Sequence, residues 1–288
     1  MTLPLLLFLA ADPATWIVEA GGVASGGVVD LRNSWVTDSD MPQLVQMPGL
    51  TSLDLSGTRI SDRGLRALRT ARDITSLNLA FAELITDEGT SALRGWKKLR
   101  RLSLRGTRIT DNTLEAVSMI PTLEALDVGY AQLTDAGLDH LTSLTGLREI
   151  SLGGNKLTDA GLQFLRRMPQ VTLLDVSGSQ RTDSGLWSLL LGELGIDAIA
   201  AVPALRELYL GGTAVGVSGL RQLAALPALE RLSLQGCLRI GRESVGVLTT
   251  MKGLRRLDVA GTALTAEDVA SLRAALPRCE VVWSPSAP

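Results

Sequence analysis

Catalysis by side chains needs a nucleophile, a base and a group that orients the base, and this sequence is poor in bases. Its one histidine, His140, lies in Gly137-Leu-Asp-His-Leu between two apolar positions of an expected helix, a place that suits a surface residue. The two cysteines, Cys237 and Cys279, are too few for a zinc cluster or a disulfide framework. A single bridge between them stays open, although they occupy non-equivalent positions in different repeats; Cys237 fills an interior turn place and reads as structural. Gly153-Gly154 and Gly211-Gly212 read as tight turns, because no Gly-x-x-x-x-Gly-Lys-Ser/Thr loop accompanies them.

Carboxylates offer more. Asp30, Asp54, Asp127, Asp175 and Asp258 recur at one place in a repeated pattern, and paired carboxylates can move protons or hold Ca²⁺. Asn78, Ser103, Ser151, Tyr209 and Ser233 interrupt the row, so only Asp30 and Asp54 fall in adjacent units. The row is therefore expected to be solvated or to face a partner. No catalytic set, metal site or cofactor is expected.

Residues suited to recognition are better represented. Phe81 and Tyr130 stand where other units place Gly57, Gly106, Gly154, Gly178 or Gly212. Arg101, Arg105 and Arg108 lie between them, with Arg59 and Asp127 near by, and aromatic and Arg side chains are the types enriched at interface hot spots. Residues 94–108 hold seven basic residues and no acid. Two readings stand: a solvated band balanced by Glu83, Asp127 and Glu149, or a patch for an anionic protein or glycan. A net charge of -2 gives no general reason to expect nucleic acid or an anionic membrane.

The elements that must position these residues follow from a repeat. The pattern apolar-x-x-apolar-x-apolar ends at Leu31, Leu55, Leu79, Leu104, Val128, Leu152, Val176, Leu210, Leu234, Val259 and Trp283, which we number as units one to eleven. At its last two apolar places all 22 residues are apolar in a chain that is 45% hydrophobic, so composition alone does not produce the register. The alternating part predicts a short strand with one face buried. About seven residues on, Thr-Asp-x-Gly-Leu appears at Thr134–Leu138, Thr158–Leu162 and Thr182–Leu186, with variants at Ser61–Leu65 and Thr86–Thr90. Thr and Asp are both good helix N-caps, and which one caps stays open. Apolar residues then return every three positions, as Leu138, Leu141 and Leu144, and Pro121, Pro169, Pro203 and Pro227 close their units.

Such a unit cannot bury both faces alone, so stacked units must share a core. The spelling Leu-x-x-Leu-x-Leu-x-Gly-Thr-x-Ile-Ser/Thr-Asp-x-Gly/Thr-Leu at Leu50–Leu65 and Leu99–Leu114 resembles the ribonuclease-inhibitor or cysteine-containing class of leucine-rich repeats, with the 24-residue period of bacterial examples. The resemblance covers about residues 26–283 and implies an α/β solenoid: a curved parallel sheet on the concave face and short helices on the convex face. It departs at the turn place usually filled by Asn or Cys, where only Asn155 and Cys237 match and Thr58, Thr107, Thr213 and Thr262 stand in four other units. A Thr hydroxyl can satisfy a turn backbone group there.

The expected organisation is a signal-like or apolar capping segment over residues 1–11 and a cap at 12–25 containing a short helix ended by glycine. About ten repeats and a closing strand follow over 26–283, then a disordered tail at 284–288. A remnant signal implies an extracytoplasmic location, and otherwise the cytoplasm. The apolar run at the start is too short to span a bilayer, which takes about 20 residues. The unit beginning at Val171 carries ten extra residues, placed around 188–194 as a lengthened convex helix with a loop, or as a second contact surface exposing Trp187 or Leu189–Leu191. Functionally the sequence points to a non-catalytic scaffold whose partner is a protein, acidic if the arginines meet it. That partner would dock on the concave face across units three to five with Phe81, Arg105 and Tyr130 central; an envelope or carbohydrate-binding protein is the alternative.

Overall fold

The computed structural model describes residues 15–182, 185–189 and 191–285. Eleven parallel strands stack into one curved sheet, joined by one antiparallel strand at its N-terminal edge. Strands are three residues long and bury the middle residue, so Val29, Leu53, Leu77, Leu102, Leu126, Ile150, Leu174, Leu208, Leu232, Leu257 and Val281 pair in a continuous row. The apolar residue two places on, from Leu31 through Val259, enters the same core. Short α and 3₁₀ turns, such as Asp111–Ser118 and Gly161–Arg167, close the convex side.

Threonine does replace asparagine at the interior turn. The hydroxyls of Thr58 and Thr107 donate to the carbonyls of Leu55 and Leu104 at 2.6 Å, as the Asn155 amide donates to Leu152 at 2.8 Å. Cys237 occupies the same place, fully buried, with Sγ 3.2 Å from the Leu210 carbonyl. Both cysteines are free thiols.

The Thr-Asp-x-Gly signature divides its work among units. Thr110 and Thr134 cap their own helices, accepting the N–H two residues on. Each Asp reaches the next unit instead: Asp111 accepts the Thr134 N–H at 2.9 Å and its hydroxyl at 2.6 Å, and Asp87 does the same for Thr110. The Gly leaves room for the previous unit's carboxylate, since a Cβ on Gly137 would lie 2.6 Å from Asp111 Oδ1. Where Thr113 replaces that Gly, its hydroxyl donates to Asp87 at 2.6 Å.

Burial alone would raise the Asp87 carboxyl, but the hydrogen bonds from Thr110 and Thr113 outweigh it and hold the group below the ordinary carboxylate range. Asp87→Ala leaves these donors without their acceptor and is expected to cost about 1–3 kcal/mol. The folded pKa lies below the unfolded one, so this contribution is full above the unfolded value and fades as pH falls through the folded one. Urea melts of wild type and Asp87→Ala should therefore converge at acid pH; an equal gap at neutral and acid pH would contradict the assignment.

The extra residues of unit seven lie earlier than the sequence suggested. Ser179–Thr182 and Gly185–Ser188 pair as an antiparallel hairpin, and the convex helix is an ordinary Glu193–Ala200. Asp159 binds the Gly192 N–H at 2.7 Å, so Gly192 takes the cap place of this helix; the Thr182–Leu186 match to the helix signature falls in the hairpin, with residues 183–184 outside the described set. Leu189 and Leu191 are buried, in the places Asn155 and Leu157 hold one unit earlier, and Trp187 is half-buried.

Both ends are closed. The helix Thr15–Glu19 and the strand Val23–Ser25, which folds back on Val28–Asp30 through Gly26-Gly27, cover unit one. At the other end Trp283 Nε1 donates to the Leu264 carbonyl at 3.2 Å. Ser284 accepts the Gly261 N–H at 2.9 Å, so the tail expected from 284 is still held there; 286–288, like the signal-like segment 1–11, lie outside the described residues. Among the described residues no helix is long and apolar enough to cross a membrane.

Candidate binding surface

The strands leave the sheet through a residue in the left-handed region. Glycine fills that place at Gly57, Gly106, Gly154, Gly178 and Gly212, but units one, three and five place Asn33 (φ 55), Phe81 (φ 58) and Tyr130 (φ 53) there. A bulky residue in this conformation is strained by about 1–3 kcal/mol. Its side chain also lies over the next unit. A Cβ on Gly106 would come within 2.7 Å of Phe81 Cε1 and one on Gly154 within 2.8 Å of Tyr130 Cδ1. One on Gly57 would overlap the Asn33 amide. Large residues thus alternate with glycines because each one occupies its neighbour's side-chain space.

Arg105, just beyond the strand Arg101–Ser103, lies with its Cζ 4.5 Å from the Tyr130 ring centre. Its Nη1 is 3.5 Å from Asp127 Oδ1. Burial pushes the Asp127 carboxyl above the ordinary range; the Gly129 N–H and Arg105 act against the shift, and Asp175 adds to it. Arg105, Tyr130 and Asp127 therefore form one polar and aromatic corner.

The remaining sequence candidates divide into two places. Arg101 stays on the concave sheet, paired to Glu149 Oε2 at 2.6 Å, and both line a hollow of about 330 Å³ with Asn78, Ser103, Asp127 and Ser151. Phe81, Arg59 and Arg108 lie past the strand ends on the rim, all three exposed. The basic stretch is balanced by Asp73, Glu124, Glu149 and Asp127, which pair with Lys98, Arg100, Arg101 and Arg105. Glu83, expected to share that role, makes no ion pair among the described residues because it leaves from the rim and not the sheet. Two exposed rim residues escaped the sequence reading: Trp35, 86% exposed, and Leu84, 49% exposed. Counting four residues past Leu31, and five past Leu79 in the unit with an added residue, would have found them.

The aspartate row is structural. Asp54, Asp127, Asp175 and Asp258 each accept the backbone N–H two residues on, at 2.9–3.0 Å, which fixes the turn out of the strand. His140 is exposed on the convex side. Among the described residues no group of three or more His, Cys, Asp or Glu side chains is placed to hold a metal.

Residues 47–68, 70–93, 120–141 and 143–165 match the family model described as Leucine Rich repeat. No curated protein sequence matches the chain at a significant level. Among solved structures, the ectodomain of the Arabidopsis receptor kinase HAESA, crystallised with an N-terminally extended IDA peptide hormone, is similar over 96% of this chain and 45% of that one, with 18% identity and a TM-score of 0.61. An internalin (inlF) from Listeria monocytogenes is similar over 89% of this chain and 86% of that one, with 19% identity and a TM-score of 0.43. The likeness to the HAESA ectodomain is one of fold.

Proposed function

Since the chain is a leucine-rich-repeat protein, we propose that it works by binding a protein partner and not by catalysing a reaction. The partner docks where the concave sheet of units three to five meets the rim, with Phe81, Arg105 and Tyr130 at the centre. One observation carries this reading. Phe81, exposed, and Tyr130, half-buried, sit in a backbone conformation that glycine adopts without strain, and strain of this kind clusters at functional sites. Stacking on Tyr130 holds the Arg105 guanidinium in place, so less side-chain freedom is lost when a partner meets it. A crystallised peptide complex of the similar HAESA ectodomain accords with such a role.

The test is to isolate the partner from the native host with this chain as bait, and then to titrate it calorimetrically against variants. Phe81→Ala, Arg105→Ala and Tyr130→Ala should each weaken binding by about 2 kcal/mol or more. Arg166→Ala with Arg167→Ala on the convex side, where each Arg makes an exposed ion pair, should change it by under about 0.5 kcal/mol. Loss with the convex pair and none with the first set would move the site to the other face.

A further inference from the structure

We infer that the rim of units one to six is a docking strip for an extended acidic polypeptide segment carrying carboxylates three residues apart. The inference rests on the binding role proposed above and assigns the chemistry of the partner.

The strip is a row of exposed side chains: Trp35, Arg59, Leu84, Arg108, Gln132 and Lys156. Backbone bonds keep its later members in line, since the N–H groups of Arg108, Gln132 and Lys156 donate to the carbonyls of Ile85, Ile109 and Leu133 at 2.9–3.1 Å. Units two, four and six each present a cation, and units one, three and five present Trp, Leu and Gln. This alternation runs in step with the one at the strand exits, where the same odd-numbered units carry Asn33, Phe81 and Tyr130.

Charge separates the rim from the sheet. On the concave sheet Arg101, Arg231 and Arg256 are each matched by a Glu of the same face. On the rim Arg59, Arg108 and Lys156 have no carboxylate within 4.0 Å among the described residues. The helix-start aspartates near by are held by the next unit's N–H and hydroxyl groups, and Glu83 makes no ion pair. An anionic partner therefore gains more at the rim than at the sheet, where it would have to displace carboxylates already in place.

Spacing gives the form of the partner. Neighbouring units lie about 4.8 Å apart, so the cations recur at about 10 Å, close to one turn of an extended polyproline II chain, whose rise of about 3.1 Å per residue returns every third side chain to the same face. On either side of Arg59, Trp35 and Leu84 are exposed apolar surface, which suits the side chains of a polypeptide better than a sulfated sugar. A chain running across the units can place a carboxylate on each cation and its other side chains against these two.

Fluorescence anisotropy with the full chain and a labelled twelve-residue peptide of repeating Glu-Leu-Ser tests this directly. A peptide of the same composition with its glutamates in one block should bind about ten-fold more weakly. Reversing Arg59, Arg108 and Lys156 to Glu should weaken the periodic peptide by about thirty-fold or more, while reversing the ion-paired Arg231, Arg256 and Arg255, the last matched by Glu230 at 3.5 Å, an equal change of net charge, should alter it by under about three-fold. Trp35→Ala should weaken it several-fold, and the corresponding Gln variants replace any Glu variant that does not fold. Equal binding of the two peptides, indifference to the rim reversals, or tighter binding of a heparin oligosaccharide through the same residues would each overturn the inference. In the isolated-partner assay, loss with Phe81, Arg105 and Tyr130 variants but none with the rim reversals overturns the strip and leaves the proposed function standing. Indifference to both sets overturns the strip and the proposed docking corner together.

Discussion

Leu104→Ala, or Leu152→Ala, should lower the free energy of unfolding by about 2–5 kcal/mol, the range for removing a fully buried Leu side chain that its surroundings cannot replace. Both residues are 0% exposed and directly follow the strands of units four and six. Their neighbours are the equivalent apolar residues of the adjacent units, Leu79 and Val128 for Leu104 and Val128 and Val176 for Leu152, fixed in place by the ladder: the Leu104 N–H donates to the Asp127 backbone carbonyl and the Leu152 N–H to that of Asp175, both at 2.7 Å. Collapse around the cavity would break that register. Because stability in a solenoid is set by each unit and its interfaces, the loss should spread outward from the altered unit. Hydrogen exchange should show reduced protection in units three and five for the first variant, and five and seven for the second. Urea melts indistinguishable from wild type would show that these leucines do not build the core.

Gly153→Ala should be the most damaging small substitution near the candidate site. A methyl group there would overlap the Ser177 carbonyl oxygen and sit 3.0 Å from its carbonyl carbon. The obstacle is backbone on both sides, so it is relieved only by parting units six and seven. The cost is expected to be about 1–3 kcal/mol, with more if the sheet cannot yield. The Gly153 carbonyl accepts the Tyr130 N–H at 2.7 Å, so the same change should tilt Tyr130 and weaken partner binding with it. Gly211→Ala is the control, because there the nearest atom, the Gln235 carbonyl oxygen, lies at 3.2 Å and a small shift suffices. Equal melting of the two variants would contradict the close approach of units six and seven.

The repeat was legible because the side-chain period of a strand and the spacing of the capping residues both recur in the sequence. Leu53, Leu77 and Leu102 are paired as their spacing required. The hairpin Ser179–Ser188 was not legible, because Thr182-Asp-Ser-Gly-Leu spells a helix start. What decides between that start and Gly192 is Asp159 of the preceding unit, an interaction across units that a local pattern does not contain. The strand Val23–Ser25 did leave a signal, since Gly26-Gly27 between two short runs marks a tight hairpin turn. At the site, Phe81 and Tyr130 stood out because they replace glycine. Placing Arg59 and Arg108 with Arg101 was the sequence's error: residues seven apart leave a three-residue strand and its turn in different directions. Asn33, Trp35 and Leu84 went unnoticed because single residues of those types carry no repeat signal of their own.

Hydrogen–deuterium exchange on the isolated partner complex tests the account most directly. Binding at the corner and rim predicts added protection in the peptides that span 76–84, 101–108 and 125–132, with convex segments such as 161–167 and 193–200 unchanged. Protection confined to those convex segments, or to the hairpin at 179–188, would contradict it.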